Sequence, residues 1–153
     1  MPELIRSEQE QALVALANRV LPGGGFGNLT SDIVIADGQG GRVRDVSGNE
    51  YVDFLLGSGP MFVGHGHPDV VAAVQAQIPR GTTFFANSEP GVRLAAAIVD
   101  AVPCAEQVRF TSTGTEADTY AMRLARAFRK RDKILKFEGG FHGVHDYSLM
   151  SAH

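Results

Sequence analysis

Between Arg109 and Ala117 the chain runs Arg109-Phe110-Thr111-Ser112-Thr113-Gly114-Thr115-Glu116-Ala117. A strand end, a turn of three hydroxyl residues and one glycine, and a helix start follow in that order. Such a turn gathers free backbone N–H groups at the positive end of a helix dipole, about half an elementary charge. With hydroxyls as extra donors it is suited to hold a phosphate. Thr113 and Glu116 also have the spacing of a capping box, which starts many helices with no ligand at all. Both readings stand on these residues alone. The chain has no G-x-x-x-x-G-K, which excludes a nucleotide P-loop, and no G-x-G-x-x-G follows a strand here.

The second stretch is Phe137-Glu138-Gly139-Gly140-Phe141-His142-Gly143. Phe141, held between glycines and next to His142, can offer a flat face to a planar ring; equally, it can fold back onto a core. Both stretches are expected at the same edge of one sheet, where open α/β sheets bind ligands. A phosphate seat beside an aromatic plate points to a phosphorylated aromatic cofactor. His65-Gly66-His67 and the His142, His145 pair lack the three or four compact ligands of a zinc site, so no metal is expected. The basic run Arg123, Arg126, Arg129, Lys130, Arg131, Lys133 and Lys136 complements the end of a helix dipole. No aromatic residues alternate with it, and nucleic acid is not an expected partner.

These residues must be carried by regular elements. Ser7-x-x-Glu10 has the form of a capping box, with Leu13, Leu16, Ala17 and Val20 following at helical spacing and Pro22 ending the helix near Leu21. Short β-like runs at 32–36, 42–46 and 51–55, separated by glycine-rich turns, predict an antiparallel meander. Pro68 suits a first helical turn, and Val70, Val71, Val74 and Ile78 form an apolar stripe. A further helix is expected from Ser88 to just before Pro103. Then come a strand at 107–111, a helix from Thr115 to about Lys130, and a strand at 133–137. A helix that long crosses over a sheet, which makes the two strands parallel neighbours. The fold class is therefore α/β, with residues 1–59 as a helix-plus-meander segment and 60–153 as the start of a larger α/β domain.

Composition agrees. The 153 residues are 44% hydrophobic and 20% charged, with a net charge of -3, which excludes a disordered chain and argues against a nucleic-acid binder. No apolar run approaches the roughly 20 residues of a membrane helix, and the polar start is unlike a secretory signal. The single cysteine, Cys104, fits a reducing cytoplasm. The chain has 18 glycines, above the average of about 7%, and they sit in loops without repeat, as turn and close-approach residues do.

The same blocks carry a resemblance. Pro22-Gly23-Gly24, Asp45-Val46-Ser47-Gly48-Asn49-Glu50-Tyr51-Val52-Asp53, Gly59-Pro60-Met61, Gly64-His65-Gly66-His67-Pro68, Gly114-Thr115-Glu116-Ala117 and Lys136-Phe137-Glu138-Gly139-Gly140-Phe141-His142-Gly143 resemble, in this order, the class III aminotransferases. The pattern is most similar to the glutamate-1-semialdehyde 2,1-aminomutase branch, across nearly the whole chain. The resemblance implies a fold-type I transferase, pyridoxal 5′-phosphate as cofactor, a small amino acid or amino-aldehyde as substrate, and a homodimer. It implies that Thr113, Gly114 and Thr115 hold the cofactor phosphate, that Phe141 stacks on the ring in place of the family's frequent tyrosine, and that His142 lies beside it.

Three departures qualify the match. The aminomutase pattern places a substrate-binding arginine soon after Pro-Gly-Gly, and residues 26–36 contain none; where it has tryptophan before Gly-Pro, this chain has Ser58. An ordinary aminotransferase therefore stands beside the mutase. Third, the only lysines are Lys130, Lys133 and Lys136, and none is placed as the family's Schiff-base lysine, which lies far downstream of the Phe-His-Gly loop. The expectation is an amino-terminal fragment of such an enzyme, with no catalytic residue of its own and no activity alone. The alternative is a truncated non-catalytic module that keeps a partial phosphate site or a dimerisation surface.

Overall fold

The computed structural model describes residues 4–26 and 32–151. They fall into two compact units, one up to Thr83 and one from Phe84 onward. In the first, helix α1 (Glu8–Val20) starts where expected, with the Ser7 hydroxyl accepting from the Glu10 N–H at 3.2 Å, and stops where Leu21 turns extended ahead of Pro22. The return bond of a capping box is not made. Glu10 instead accepts from the Ser47 hydroxyl at 2.6 Å and the Val34 N–H at 3.0 Å, while the Ser7 N–H donates to Ser47 Oγ at 2.9 Å. Two tertiary donors outweigh one local bond for a carboxylate that is 1% exposed.

The meander is present as an antiparallel sheet in the order β1 (Ile35–Gln39), β2 (Arg42–Asp45), β3 (Glu50–Val52). Its first strand runs three residues later than expected, so Asp37-Gly38-Gln39 is strand and not turn. The reason is Gly38: a Cβ there would stand 2.8 Å from Cγ of His65, which packs across the strand. The third strand stops early because Asp53 turns its carboxylate onto the N–H groups of Leu55 and Leu56, both at 2.9 Å. Paired backbone bonds of 2.8 Å between Gly40 and His65 tie the histidine motif to the hairpin. Helix α2 (Pro68–Gln77) follows, with proline in its first turn, and runs into a short 3-10 turn at Ile78–Arg80.

The second unit holds α3 (Glu89–Ala101), capped by Ser88, then α4 (Gly114–Arg129) and the short α5 (Asp146–Leu149). Helix α4 ends at Lys130 in the left-handed conformation, with φ 50°. Its two expected flanking strands do not form: among the described residues, 107–111 and 133–137 make no ladder, and the meander is the only sheet. Parallel ladders persist where both faces are covered. Here Leu135 is 98% and Phe137 88% exposed.

The expected apolar stripes meet the same outcome. Among the described residues no hydrophobic side chain is buried, and the buried side chains are the polar Glu10, Asp45 and Ser148. No helix among them is long and apolar enough to cross a membrane.

Candidate functional site

The turn before α4 has the geometry of a helix start with capacity to spare. Thr113 is extended (φ -144°, ψ 158°), its hydroxyl accepts from the Glu116 N–H at 3.1 Å, and the Glu116 carboxylate takes the N–H groups of Ser112 at 2.7 Å and Thr113 at 3.2 Å. The capping box is thus complete, and it consumes the Ser112 and Thr113 amides. The N–H groups of Gly114 and Thr115, the first two of the helix, have no acceptor among the described residues. A Cβ built on Gly114 meets nothing within 4 Å, so the side-chain face of that glycine is open. Donors, dipole and room together suit an anion.

The aromatic loop lies against this turn. The Val144 N–H donates to Thr115 Oγ1 at 3.1 Å, which leaves the threonine's own hydroxyl proton free to donate. Gly143, with φ +92°, is the residue that allows it: a Cβ there would stand 2.6 Å from Thr115 Oγ1 and 2.7 Å from its Cα. Phe141 is 59% exposed and His142 is exposed, so Phe141 is a loop residue and not part of a core. The ring of Phe141 is thus presented from a backbone segment pressed onto the threonine turn.

A cleft of about 540 Å³ opens beside the loop, between α4 and the extended segment 132–137. Met122, Leu135 and Phe137 give it an apolar wall, and Asp118, Lys133 and His142 line its polar side. Arg126 donates from Nε to the Asp132 carbonyl at 2.7 Å, and its guanidinium lies 4.5 Å from the centre of the Tyr147 ring. Lys136 donates to the carbonyls of Gly140 at 3.1 Å and Ser148 at 2.7 Å.

The first unit has its own dense polar cluster. Asp45, 2% exposed, accepts from the N–H groups of Ser47 and Asn49, the Asn49 amide and the Tyr51 hydroxyl, all within 3.0 Å. Burial pushes the Asp45 carboxyl up, and the bonds from Asn49 and Tyr51 more than offset it, leaving it below the usual range. Tyr51 is raised in turn by its bond to Asp45. The Ser47 and Val34 bonds hold Glu10 low as well. His65 bonds Asp53 at 2.7 Å and so holds that carboxyl down, aided by the Leu56 N–H. Every one of these carboxylates is spent on the protein's own donors.

The structure therefore brings Thr113, Gly114 and Thr115 together with the loop of Phe141 and His142. It places His65 on Asp53, and His145 edge-on to Tyr147 at 6.2 Å. The stretch 26–36, where the aminomutase arginine is absent, lies partly outside the described residues. Sequence reasoning did not single out Gly143, Val144, Lys136 or Ser148 for the site. Gly143 had a signal, the third glycine in five residues; a backbone amide and a loop-bridging lysine leave none.

Comparison with known proteins places this geometry in context. Residues 27–153 match the class III aminotransferase family. A glutamate-1-semialdehyde 2,1-aminomutase of Methanothermobacter thermautotrophicus is 47% identical over 146 residues, covering 93% of this chain and 35% of that protein. An omega-transaminase of Sphaerobacter thermophilus superposes with a TM-score of 0.87 at 35% identity, over 94% of this chain and 34% of that one. A transaminase with PLP bound superposes with a TM-score of 0.86 at 37% identity, over 95% of this chain and 35% of that one. The chain thus shares the α/β fold of these enzymes over about a third of their length.

Proposed function

The chain belongs to the class III aminotransferase family, and from that premise we propose that it is the amino-terminal portion of a pyridoxal 5′-phosphate-dependent enzyme of the glutamate-1-semialdehyde 2,1-aminomutase or aminotransferase kind. The observation that carries the reading is the contact of Val144 with Thr115, which joins an anion-suited turn to an aromatic loop. In this reading the Gly114 and Thr115 amides and the Thr113 and Thr115 hydroxyls bind the cofactor phosphate. Phe141 stacks on the ring, and His142 stands at its edge. The bound cofactor supplies an electron sink for charge developing at a substrate's α-carbon. The chain's own residues bind and orient; the open room over Gly114 and the exposed face of Phe141 fit that task.

The amine that such chemistry needs is not supplied by these lysines. Lys136 is committed to two carbonyls. Lys130 closes α4, roughly 24 Å from the turn at 1.5 Å per residue; Lys133 lines the cleft beside the loop, and borohydride trapping reads it directly. The lysine comes from elsewhere in a longer polypeptide, which works in the cytoplasm as a homodimer on a small amino acid or amino-aldehyde. Ser58, and the absence of arginine from 26–36, leave mutase and aminotransferase as two branches of the same reading.

Titration of isotope-labelled chain with pyridoxal phosphate tests this. The expected result is saturable amide shifts at Gly114, Thr115 and Val144, with no amino-group exchange and no borohydride-trapped lysine. Shifts confined to other residues overturn the site. A stoichiometric adduct on one lysine, with amino-group exchange, overturns the assignment of the amine.

A further inference from the structure

We infer that Lys136 and Ser148 are positioning residues that fix the loop bearing Phe141 and His142 onto the Thr115 turn; the inference rests on the cofactor reading above. Five hydrogen bonds form one chain of support. The Lys136 ammonium spans the loop, donating to the carbonyl of Gly140 at its start (3.1 Å) and of Ser148 at its end (2.7 Å). Ser148, 1% exposed, turns its hydroxyl inward, 2.9 Å from the carbonyls of both Gly143 and His145. Gly143 is the residue seated on Thr115, and the next amide, that of Val144, makes the bond to Thr115 Oγ1.

The chemistry of each donor suits a clamp. An ammonium has three protons and no acceptor, so it can hold two carbonyls at once, and a charged donor makes the stronger bond. No carboxylate pairs with Lys136 among the described residues, so its charge is directed at loop carbonyls. The Ser148 hydroxyl has one proton to share between Gly143 and His145 and pulls both carbonyls to one point. A plate that is half exposed, as Phe141 is, cannot be oriented by packing of its own ring. Its backbone must be held instead, and a held loop loses less freedom when a ligand arrives.

The test uses the full chain and pyridoxal phosphate, read by amide hydrogen exchange and by cofactor titration. Lys136→Met and Ser148→Ala are each expected to speed exchange over 139–144 and to weaken cofactor binding, Lys136→Met by about tenfold, the scale of one charge-assisted bond, and Ser148→Ala by about fivefold, the scale of a neutral one. Lys136→Arg, which keeps a multiple donor, restores both. Exchange within α3 reports global unfolding; were Lys136→Met to unfold, Ser148→Ala and Lys136→Arg carry the test. Unchanged exchange over 139–144 overturns the clamp. A loosened loop with unchanged cofactor affinity overturns its positioning role. Failure of the unsubstituted chain to bind pyridoxal phosphate is seen before any variant is made; it sinks the cofactor reading, and the positioning role with it.

Discussion

The polar cluster under α1 and the threonine turn before α4 use the same chemistry to opposite ends. Around Asp45 four donors converge on one carboxylate, and around Glu10 a serine hydroxyl and a backbone amide do the same. Nothing there is left over. At the threonine turn the capping box takes the Ser112, Thr113 and Glu116 amides and leaves those of Gly114 and Thr115, with a hydroxyl proton beside them and an open face at Gly114. A saturated polar cluster has no donor left for a ligand; one with unspent donors does. Residue type does not separate the two, because both regions set hydroxyls and backbone amides against carboxylates. Counting donors against acceptors does.

The largest way to break the contrast is at Gly143. Gly143→Val forces a branched residue into φ +92° and drives a Cβ to within 2.7 Å of Thr115. Strain and overlap together cost roughly 3 kcal/mol. If the loop must sit on the turn to form the site, cofactor affinity should fall by about a hundredfold, since about 1.4 kcal/mol is a factor of ten. Calorimetric titration with pyridoxal phosphate measures it. The cluster around Asp45 should be untouched, which hydrogen exchange over 42–51 checks.

Acid should break the other region. Glu10 and Asp45 are both held below the usual carboxylate range, so their contribution to stability is fully present above about pH 5 and is lost as pH falls through the lowered values. Urea unfolding of the first unit, followed from pH 7 downward, should lose most of its midpoint below about pH 4. Glu10→Gln should flatten that dependence. An acid profile unchanged by Glu10→Gln would show that the cluster is not what holds α1 to the meander.

Much of this was legible locally. Helix starts at Ser7, Ser88 and Thr113 were readable because a cap is a property of four adjacent residues, and the structure starts α1, α3 and α4 at these positions. The threonine turn and the Phe141 loop were readable for the same reason. What was not legible is what depends on distant partners. Glu10 has the spacing to bond Ser7 and bonds Ser47 and Val34 instead. Gly38 looks like a turn residue until His65 is known to cross it. The runs 107–111 and 133–137 have strand composition, yet a ladder needs covered faces, and composition does not report coverage.

Two single-hydroxyl deletions sharpen the comparison at smaller scale. Tyr51→Phe removes one of the donors on Asp45 and should lower the stability of the first unit by about 1 kcal/mol, with cofactor affinity unchanged. Thr113→Ala removes the cap of α4 and should also cost about 1 kcal/mol, but of helix stability in the second unit, and it should weaken the cofactor as well. The two variants separate in a paired measurement of urea midpoint and cofactor titration. If Thr113→Ala loses stability and binds pyridoxal phosphate as before, its hydroxyl belongs to the capping box alone.

The smallest effect concerns Phe141 itself. The ring is 59% exposed, so it contributes little to the fold, and its replacement should leave the unfolding midpoint where it was. Its value lies in the face it offers, and aromatic contacts are worth about 0.5–1.5 kcal/mol beyond buried area. Phe141→Ala should therefore weaken cofactor binding by about fivefold, while Phe141→Tyr, which keeps the face, should be nearly silent. Leu is the telling control, because it restores apolar area without a π-system. An affinity for Phe141→Leu equal to that of the unsubstituted chain would mean that Phe141 only excludes water, and the plate would have to be sought elsewhere along the cleft.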